Sequence, residues 1–358
     1  MHDFRGGGAE KVSILLANGL LEHGCSVEII VVNNKGPMKE MLSSHVIVSE
    51  LISNRILTCI PELAKKLKFT NYDLILSHMT HVNIGACIAS IIARKSSKLV
   101  AVEHNMMDKN YIVEKSISVK IAYKLTGLLY KNCKKVIAVS NGVRDSVLRF
   151  TKVDAAKVEV IHNPVVDVDK IVEEKKSLGD KFVHKFFESN TPTFVAIGSL
   201  TQQKNFELFI LAFAELRKVM PCNGIILGEG PKRIELEKLI SSLNISDCFE
   251  LAGYVSTPYN YLFKADVFVL SSLWEGLPTV VIEAISAGIK VVSTDCPSGP
   301  REILEGGKHG VLINYNATAK EFADAMYVAL NSTFPDQLDR AKKFTIQSSA
   351  EKYTKLVC

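Results

Sequence analysis

The chain has no run of apolar residues near the ~18 that a membrane-spanning helix needs, so no transmembrane segment is expected. Its first residues, from Met1 to Gly6, lack the basic-then-apolar pattern of a secretory leader. The eight cysteines stand singly, with no C-x-x-C pair. That spacing argues against a disulfide framework or a zinc cluster and suits a reduced, cytoplasmic protein. G-x-G-x-x-G is absent, as are a G-x-S-x-G elbow and a Walker lysine motif, which disfavours dinucleotide, hydrolase and NTPase readings. Neither sign of charge dominates, with 43 Lys and Arg against 38 Asp and Glu. A net +5 over 358 residues does not by itself imply a nucleic-acid partner, and none is expected.

What is present is an alternation. Short apolar, β-branched runs occur at Val27–Val32, Leu74–Ser77, Leu99–Glu103, Val136–Ser140, Val158–Ile161, Phe194–Ile197, Gly224–Leu227, Phe249–Ala252, Val267–Leu270, Val291–Thr294 and Val311–Ile313. Helix-length amphipathic stretches separate them, among them Ala9–His23, Asn205–Val219, Lys232–Leu243, Thr279–Ala287 and Lys320–Asn331. Strands apolar on both faces and spaced by helices predict α/β architecture with parallel sheets. The series breaks around His162–Thr193, where Asn163-Pro164 is followed by a charged stretch. The expectation is two Rossmann-like domains with a cleft between them: 1–165, a linker over 166–192, then 193–343, with 344–358 returning to the first domain. Ligands in such folds bind at the carboxyl ends of strands.

Two stretches stand apart. Gly6-Gly7-Gly8 has the character of a loop that normally follows a first strand, yet Met1–Phe4 is too short to supply one. Either the native start lies elsewhere or the N-terminal sheet lacks a central strand. Between Lys109 and Lys135, seven lysines face the single acid Glu114, with Tyr111, Ile112, Val119, Ile121, Tyr123 and Leu128 interleaved. Such a segment is either a solvated helix face with an apolar core side or a surface resting on an anionic membrane.

The strongest chemical signal runs from Ser271 to Ala284, S-S-L-W-E-G-L-P-T-V-V-I-E-A, directly after an apolar run. Pro278 suits the first position of a helix, and Gly288 suits its stop. Backbone N–H groups from Gly276 to Thr279 would then lie unpaired at a helix N-terminus and form an anion site fit for a diphosphate. Glu275 and Glu283, eight apart, could each grip vicinal hydroxyls. Taken alone, the pair could equally be a loop acid and a helix-face acid.

The string resembles the E-x7-E signature of family 4 glycosyltransferases, carried here by Glu275 and Glu283. Further stretches are similar to that family in the same order: R-G-G-G-A-E from Arg5, E-H-N from Glu103, V-S-N-G-V from Val139, H-N-P from His162, Q-K-N-F from Gln203, G-E-G-P from Gly228, A-G-Y from Ala252, and D-C-P-S-G-P-R-E from Asp295. The resemblance spans essentially the whole chain and includes the tail from Phe344. It implies the GT-B fold and a retaining transferase that needs no metal or other cofactor. The donor would be a UDP-linked hexose or N-acetylhexosamine. The acceptor would be a polyprenyl-diphosphate-linked or other lipid-linked glycan of surface polysaccharide synthesis. A position on the cytoplasmic face of the inner membrane would follow.

Residue by residue, the resemblance implies that Lys204 pairs with the diphosphate and that Gly7 and Gly8 let backbone approach phosphate or sugar. His104 would lie near the transferred sugar. Gly228 and Gly230 would line the nucleotide site and Tyr254 would lie near the base. Gly276, Leu277, Pro278 and Thr279 would meet the diphosphate. Glu283 would bind ribose, and Glu275 the sugar or reacting centre. The departing diphosphate would assist deprotonation of the acceptor hydroxyl on the same face. Where the family often carries G-R-L, this chain has Gly198-Ser199-Leu200. A hydroxyl cannot replace a guanidinium fork, so phosphate contact would rest on Lys204 and helix dipoles.

Weaker signals count for less. Asp167-Val168-Asp169 has metal–nucleotide spacing, but following Asn163-Pro164 it reads as a solvated loop. His78 and His81 lack a third ligand nearby and suit a cleft or cap role. Two rival functions share the same motifs. A GT-B nucleotide-sugar epimerase would release UDP without needing an acceptor glycan. A catalytically inactive nucleotide-sugar-binding module, suggested by Ser199 and the short start, would bind UDP without transfer.

Overall fold

Each of the eleven apolar runs forms a strand in the computed structural model, which describes residues 1–53, 56–178, 182, 184–188 and 190–357. The strands are β1 Glu28–Val31, β2 Ile47–Glu50, β3 Ile75–His78, β4 Leu99–Glu103, β5 Lys135–Ala138, β6 Val158–Val160, β7 Thr193–Ile197, β8 Asn223–Leu227, β9 Phe249–Gly253, β10 Val267–Leu270, β11 Lys290–Thr294 and β12 Val311–Ile313. β2 is the one the apolar pattern misses. It is a half-exposed edge bonded only to β1, so it carries no buried run to read. All described strand pairs are parallel. β4, β8 and β10 are buried at every position, as strands covered on both faces must be.

The chain divides into two units, residues 1–165 with 344–358, and residues 166–343. In the C-terminal unit the order is β12-β11-β10-β7-β8-β9. Successive strands step outward from β7 through β8 to β9, and on the other side from β10 through β11 to β12. The topological switch therefore falls between β7 and β10. Phe209 and Phe213 of the helix Phe206–Arg217 pack on Phe249 of β9, with ring centroids 5.3 and 4.9 Å apart. Burying aromatic rings of this size is worth about 1.5–3 kcal/mol each, which holds that helix on the sheet.

The stretch 166–192 is not a bare linker. It belongs to the C-terminal unit and carries a helix, Val168–Leu178, whose Ile171 is buried while Lys170, Glu173, Lys175 and Lys176 face water. Its high charge concealed that one apolar side. Asp167 accepts a hydrogen bond from the Lys170 amide at 3.2 Å, so the Asp167–Asp169 pair opens this helix instead of lying in a solvated loop.

In the N-terminal unit the order is β3-β4-β5-β6, with β1-β2 as a separate pair. The helix Ile346–Thr354 of the tail packs on the helix Gly8–Glu22, where a Cβ on Gly19 would come within 2.5 Å of Ile346 Cγ2. Ser349 donates to the His162 carbonyl at 2.9 Å.

Candidate active site

The C-terminal unit builds its site at the switch point, where the loops after β7 and β10 meet. The Leu273 amide donates to the Gln203 carbonyl at 2.8 Å, and Gln203 Nε2 donates to the Trp274 carbonyl at 2.8 Å. Ser271 Oγ donates to the Lys204 carbonyl at 2.8 Å. These bonds place Lys204 Nζ 2.6 Å from Glu275 Oε1, although the residues are 71 apart in sequence. Ser272 Oγ donates to the same oxygen at 2.6 Å. Both side chains are largely out of water, so the pair is a desolvated, hydrogen-bonded ion pair and not a surface bridge.

Glycine matters at two places here. Gly228, at φ 152°, approaches the loop after β7 so closely that a Cβ would lie 1.9 Å from the Gly198 carbonyl oxygen. Gly230 packs the same way on the Leu200 backbone. Gly299, at φ 95°, backs the other loop, and a Cβ there would strike Pro278 at 2.3 Å. Ser298 Oγ fixes that loop further by donating to the Gly276 carbonyl at 2.7 Å.

The helix expected from the Glu-rich string spans Thr279–Ala287, and Gly288 at φ 80° ends it. Pro278 is its N-cap residue, one position earlier than expected, and supplies no side-chain cap. Among the described hydrogen bonds, none uses the amides of Leu277 or Thr279. Glu283 sits in the second turn and is buried. Nearby Tyr259, which the sequence reading did not single out, donates to or accepts from Ser286 Oγ at 3.1 Å. Burial, followed by the Glu283 carboxylate, pushes its phenol pKa up. Ser199 and Tyr254 are exposed, and no described side-chain bond or ring contact joins either to Lys204, Glu275 or Glu283.

In the N-terminal unit, Gly7 is the N-cap of the helix Gly8–Glu22, and both glycines are exposed. His104 lies just past β4, buried, with Nε2 2.9 Å from Nδ1 of His78 and the two rings stacked at 5.2 Å. One ring donates and the other accepts. Burial lowers the His104 pKa to about 4, and burial followed by His104 lowers that of His78. Both are therefore neutral at pH 7. Next to them, buried Glu103 accepts from Thr80 Oγ1 at 2.7 Å, Asn83 Nδ2 at 3.0 Å and the Tyr130 hydroxyl. Burial raises its pKa against those three donors. His81 opens the helix Thr80–Ile92 and is not bonded to His78.

The His104 shift has a sign that can be checked. An unfolded histidine takes a proton below pH 6.5, and buried His104 does so only near pH 4. Between those values the unfolded chain binds more protons, so stability falls as pH drops through that window. This group alone should cost about 2 kcal/mol between pH 7 and pH 5. Denaturation midpoints across the window should fall for the wild type and fall less for His104→Gln. Equal slopes would remove the assignment.

The lysine-rich stretch forms two helices, Met107–Val113 and Ile117–Leu129. Ile117, Ile121, Leu125 and Leu128 of the second are all exposed, a stripe with helical spacing that faces water instead of the core. Ile112 and Val113 extend it, and Lys115, Lys124 and Lys131 are exposed beside it.

The fold of the chain is that of the GT-B glycosyltransferases. HepE of Anabaena, in complex with UDP and glucose, matches it with a TM-score of 0.78 at 19% identity, covering 99% of this chain and 97% of that one. The lipopolysaccharide outer core galactosyltransferase WaaB matches with a TM-score of 0.72 at 18% identity, with the same two coverages. The sequence profile described as Glycosyltransferase Family 4 matches residues 6–168, and that of Glycosyl transferases group 1 matches residues 180–347. The chain belongs to the family 4 glycosyltransferases. Among its relatives is the GalNAc-alpha-(1->4)-GalNAc-alpha-(1->3)-diNAcBac-PP-undecaprenol alpha-1,4-N-acetyl-D-galactosaminyltransferase of Campylobacter jejuni, 28% identical over 98% of this chain and 95% of that protein. Another is the UDP-Gal:alpha-D-GlcNAc-diphosphoundecaprenol alpha-1,3-galactosyltransferase of Escherichia coli, 27% identical over 80% of this chain and 76% of that protein.

Proposed function

We propose that the chain transfers a hexose or N-acetylhexosamine from a UDP-sugar to a glycan carried on a polyprenyl diphosphate, with retention at the anomeric carbon and without a metal. The observation that carries the reading is the Lys204–Glu275 pair at the switch point, beside the start of the helix Thr279–Ala287. An ammonium and a helix N-terminus together offer what a departing diphosphate needs, fixed positive charge in a site shielded from water. Glu283 binds ribose hydroxyls and Glu275 orients the sugar. The departing diphosphate takes the acceptor proton, so no carboxylate need act as general base. His104, neutral at pH 7, serves as a hydrogen-bonding group toward sugar or acceptor and not as an acid. The UDP bound to HepE and the UDP-Gal donor of the Escherichia coli relative support UDP as the nucleotide, and the undecaprenol-diphosphate-linked glycans of both relatives support the lipid-linked acceptor.

UDP release from a panel of UDP-hexoses, with and without polyprenyl-diphosphate glycans and in EDTA, tests this. Acceptor-dependent release in EDTA is expected. Release independent of acceptor would favour an epimerase, and binding without release an inactive module. The anomeric configuration of the product decides retention.

The exposed stripe is a membrane-resting surface that brings the enzyme to its lipid-linked acceptor. Apolar residues flanked by lysines suit anionic lipid, where each basic side chain adds about 1 kcal/mol. Replacing Ile117, Ile121 and Leu128 together by Asp should weaken sedimentation with phosphatidylglycerol vesicles at least tenfold and leave UDP binding unchanged. Equal sedimentation would exclude the stripe.

A further inference from the structure

The carboxyl ends of β3 and β4 bring together two buried histidines that the sequence keeps 26 positions apart. His78 is the last residue of β3, and His104 follows the last residue of β4. The strands are adjacent and parallel, with His78 opposite Val102. Directly after His78 the chain turns sharply, and Met79 sits at φ 75°, a sparsely populated conformation for a residue with a side chain. Its amide donates to the Val102 carbonyl at 3.1 Å, and its carbonyl accepts from the Asn83 amide at 2.9 Å. β4 and the helix Thr80–Ile92 therefore hold the turn from two sides. On β4, the three donors to Glu103 fix the residue next to His104. Backbone strain held this way fixes a geometry. Here the geometry is the ring contact, with His78 Nδ1 2.9 Å from His104 Nε2.

That contact leaves His104 one nitrogen for a ligand. Both imidazoles are neutral at pH 7, so each carries a single N–H, and the shared bond makes their tautomers complementary. If His78 donates, His104 carries its proton on Nδ1. If His104 donates, its Nδ1 presents a lone pair. Among the described hydrogen bonds, none uses His104 Nδ1. We propose that His78 is a positioning residue for the transfer reaction, holding His104 in one orientation and one tautomer so that Nδ1 meets a hydroxyl of sugar or acceptor in a fixed donor–acceptor sense. This rests on the role given to His104 above. Without His78, Nε2 of His104 is left buried and unpaired, and the ring gains by turning toward water. Both the direction of Nδ1 and its protonation are then lost.

The test uses the full chain labelled with 15N-histidine, with His104→Gln identifying the His104 resonances. In the ligand-free wild type, His104 is expected in a single neutral tautomer at pH 7, and in His78→Leu as an average of two. His78→Asn places an amide near the Nδ1 position, can donate or accept there, and is expected to restore the single tautomer. With donor and acceptor present, His78→Leu is expected to lose about tenfold in kcat, the equivalent of one neutral hydrogen bond lost in the transition state. His78→Asn is expected to regain most of that loss, and UDP affinity is expected to be unchanged in both. Should His78→Leu not fold, His78→Gln, whose amide falls beyond that point, takes its place with the same expectations. Mixed tautomers in the wild type, or the same single tautomer with and without His78, would overturn the proposal. So would an unchanged kcat, or a kcat that merely follows the thermal midpoint in both variants. Because the resonances are read without substrate, a wild type that transfers nothing fails the proposed function, whereas mixed tautomers in an active wild type fail this inference alone.

Discussion

Lys204→Met is expected to lose about 10³-fold in kcat/KM and to unfold several degrees below the wild type, whereas the double variant Lys204→Met with Glu275→Gln regains stability and stays inactive. The reasoning starts from the 2.6 Å contact between two side chains that are mostly buried. Removing one partner leaves a desolvated charge alone and costs roughly 3–5 kcal/mol, while neutralising both removes that penalty. Activity follows different physics. A fixed cation aimed at a departing diphosphate is worth about 10²–10³ in rate, and the change at Glu275 adds a loss of sugar orientation. Thermal midpoints and UDP-release rates on the three proteins separate the two effects. A double variant as unstable as the single one would show that the ion pair is not what couples these loops. Near-normal turnover in Lys204→Met would remove the lysine from the reaction.

Glu283→Ala is expected to raise the dissociation constant for UDP about 100-fold and to abolish measurable transfer, with Glu283→Gln intermediate. A buried carboxylate that accepts from two ribose hydroxyls contributes roughly 1.5–3 kcal/mol through charge-assisted bonds, and the amide keeps one good acceptor. The chain carries its own reporter. Its single tryptophan, Trp274, lies in the loop between β10 and the helix Thr279–Ala287, and its indole N–H is buried without a partner. Fluorescence titration with UDP therefore reads binding in each variant. Unchanged affinity and unchanged turnover in Glu283→Ala would defeat the ribose assignment.

Much of this site is written in local sequence. The string from Ser271 to Ala284 specifies a buried strand, a tight loop and a helix that Gly288 ends, because each of those choices depends on neighbours within a few residues. The glycines at 228 and 230 were legible as a loop, yet their reason lay elsewhere. Only the fold shows that the Gly198 and Leu200 backbones sit where a Cβ would go. Other residues stood inside the ordered motifs, yet nothing local showed what they would bond. The supports of the loops, Gln203, Ser272 and Ser298, are ordinary polar residues until distant chain is brought against them. His78 was noticed for its spacing to His81, and its partner is His104, 26 positions on, because β3 and β4 are adjacent. The helix Val168–Leu178 was missed because a charged segment with one buried side resembles a linker.

By itself the sequence determined the parallel α/β plan, the strands with buried faces and the family, since periodicity, turn residues and ordered motifs are local properties. Tertiary structure alone decided that β10 lies beside β7, which turns a 71-residue separation into a 2.6 Å ion pair. It also decided that the apolar stripe of Ile117–Leu129 faces outward and that β1 and β3 stand apart around a cavity. Strand order and the direction of a helix face depend on which distant surfaces cover one another, and that competition is settled only when the whole chain packs.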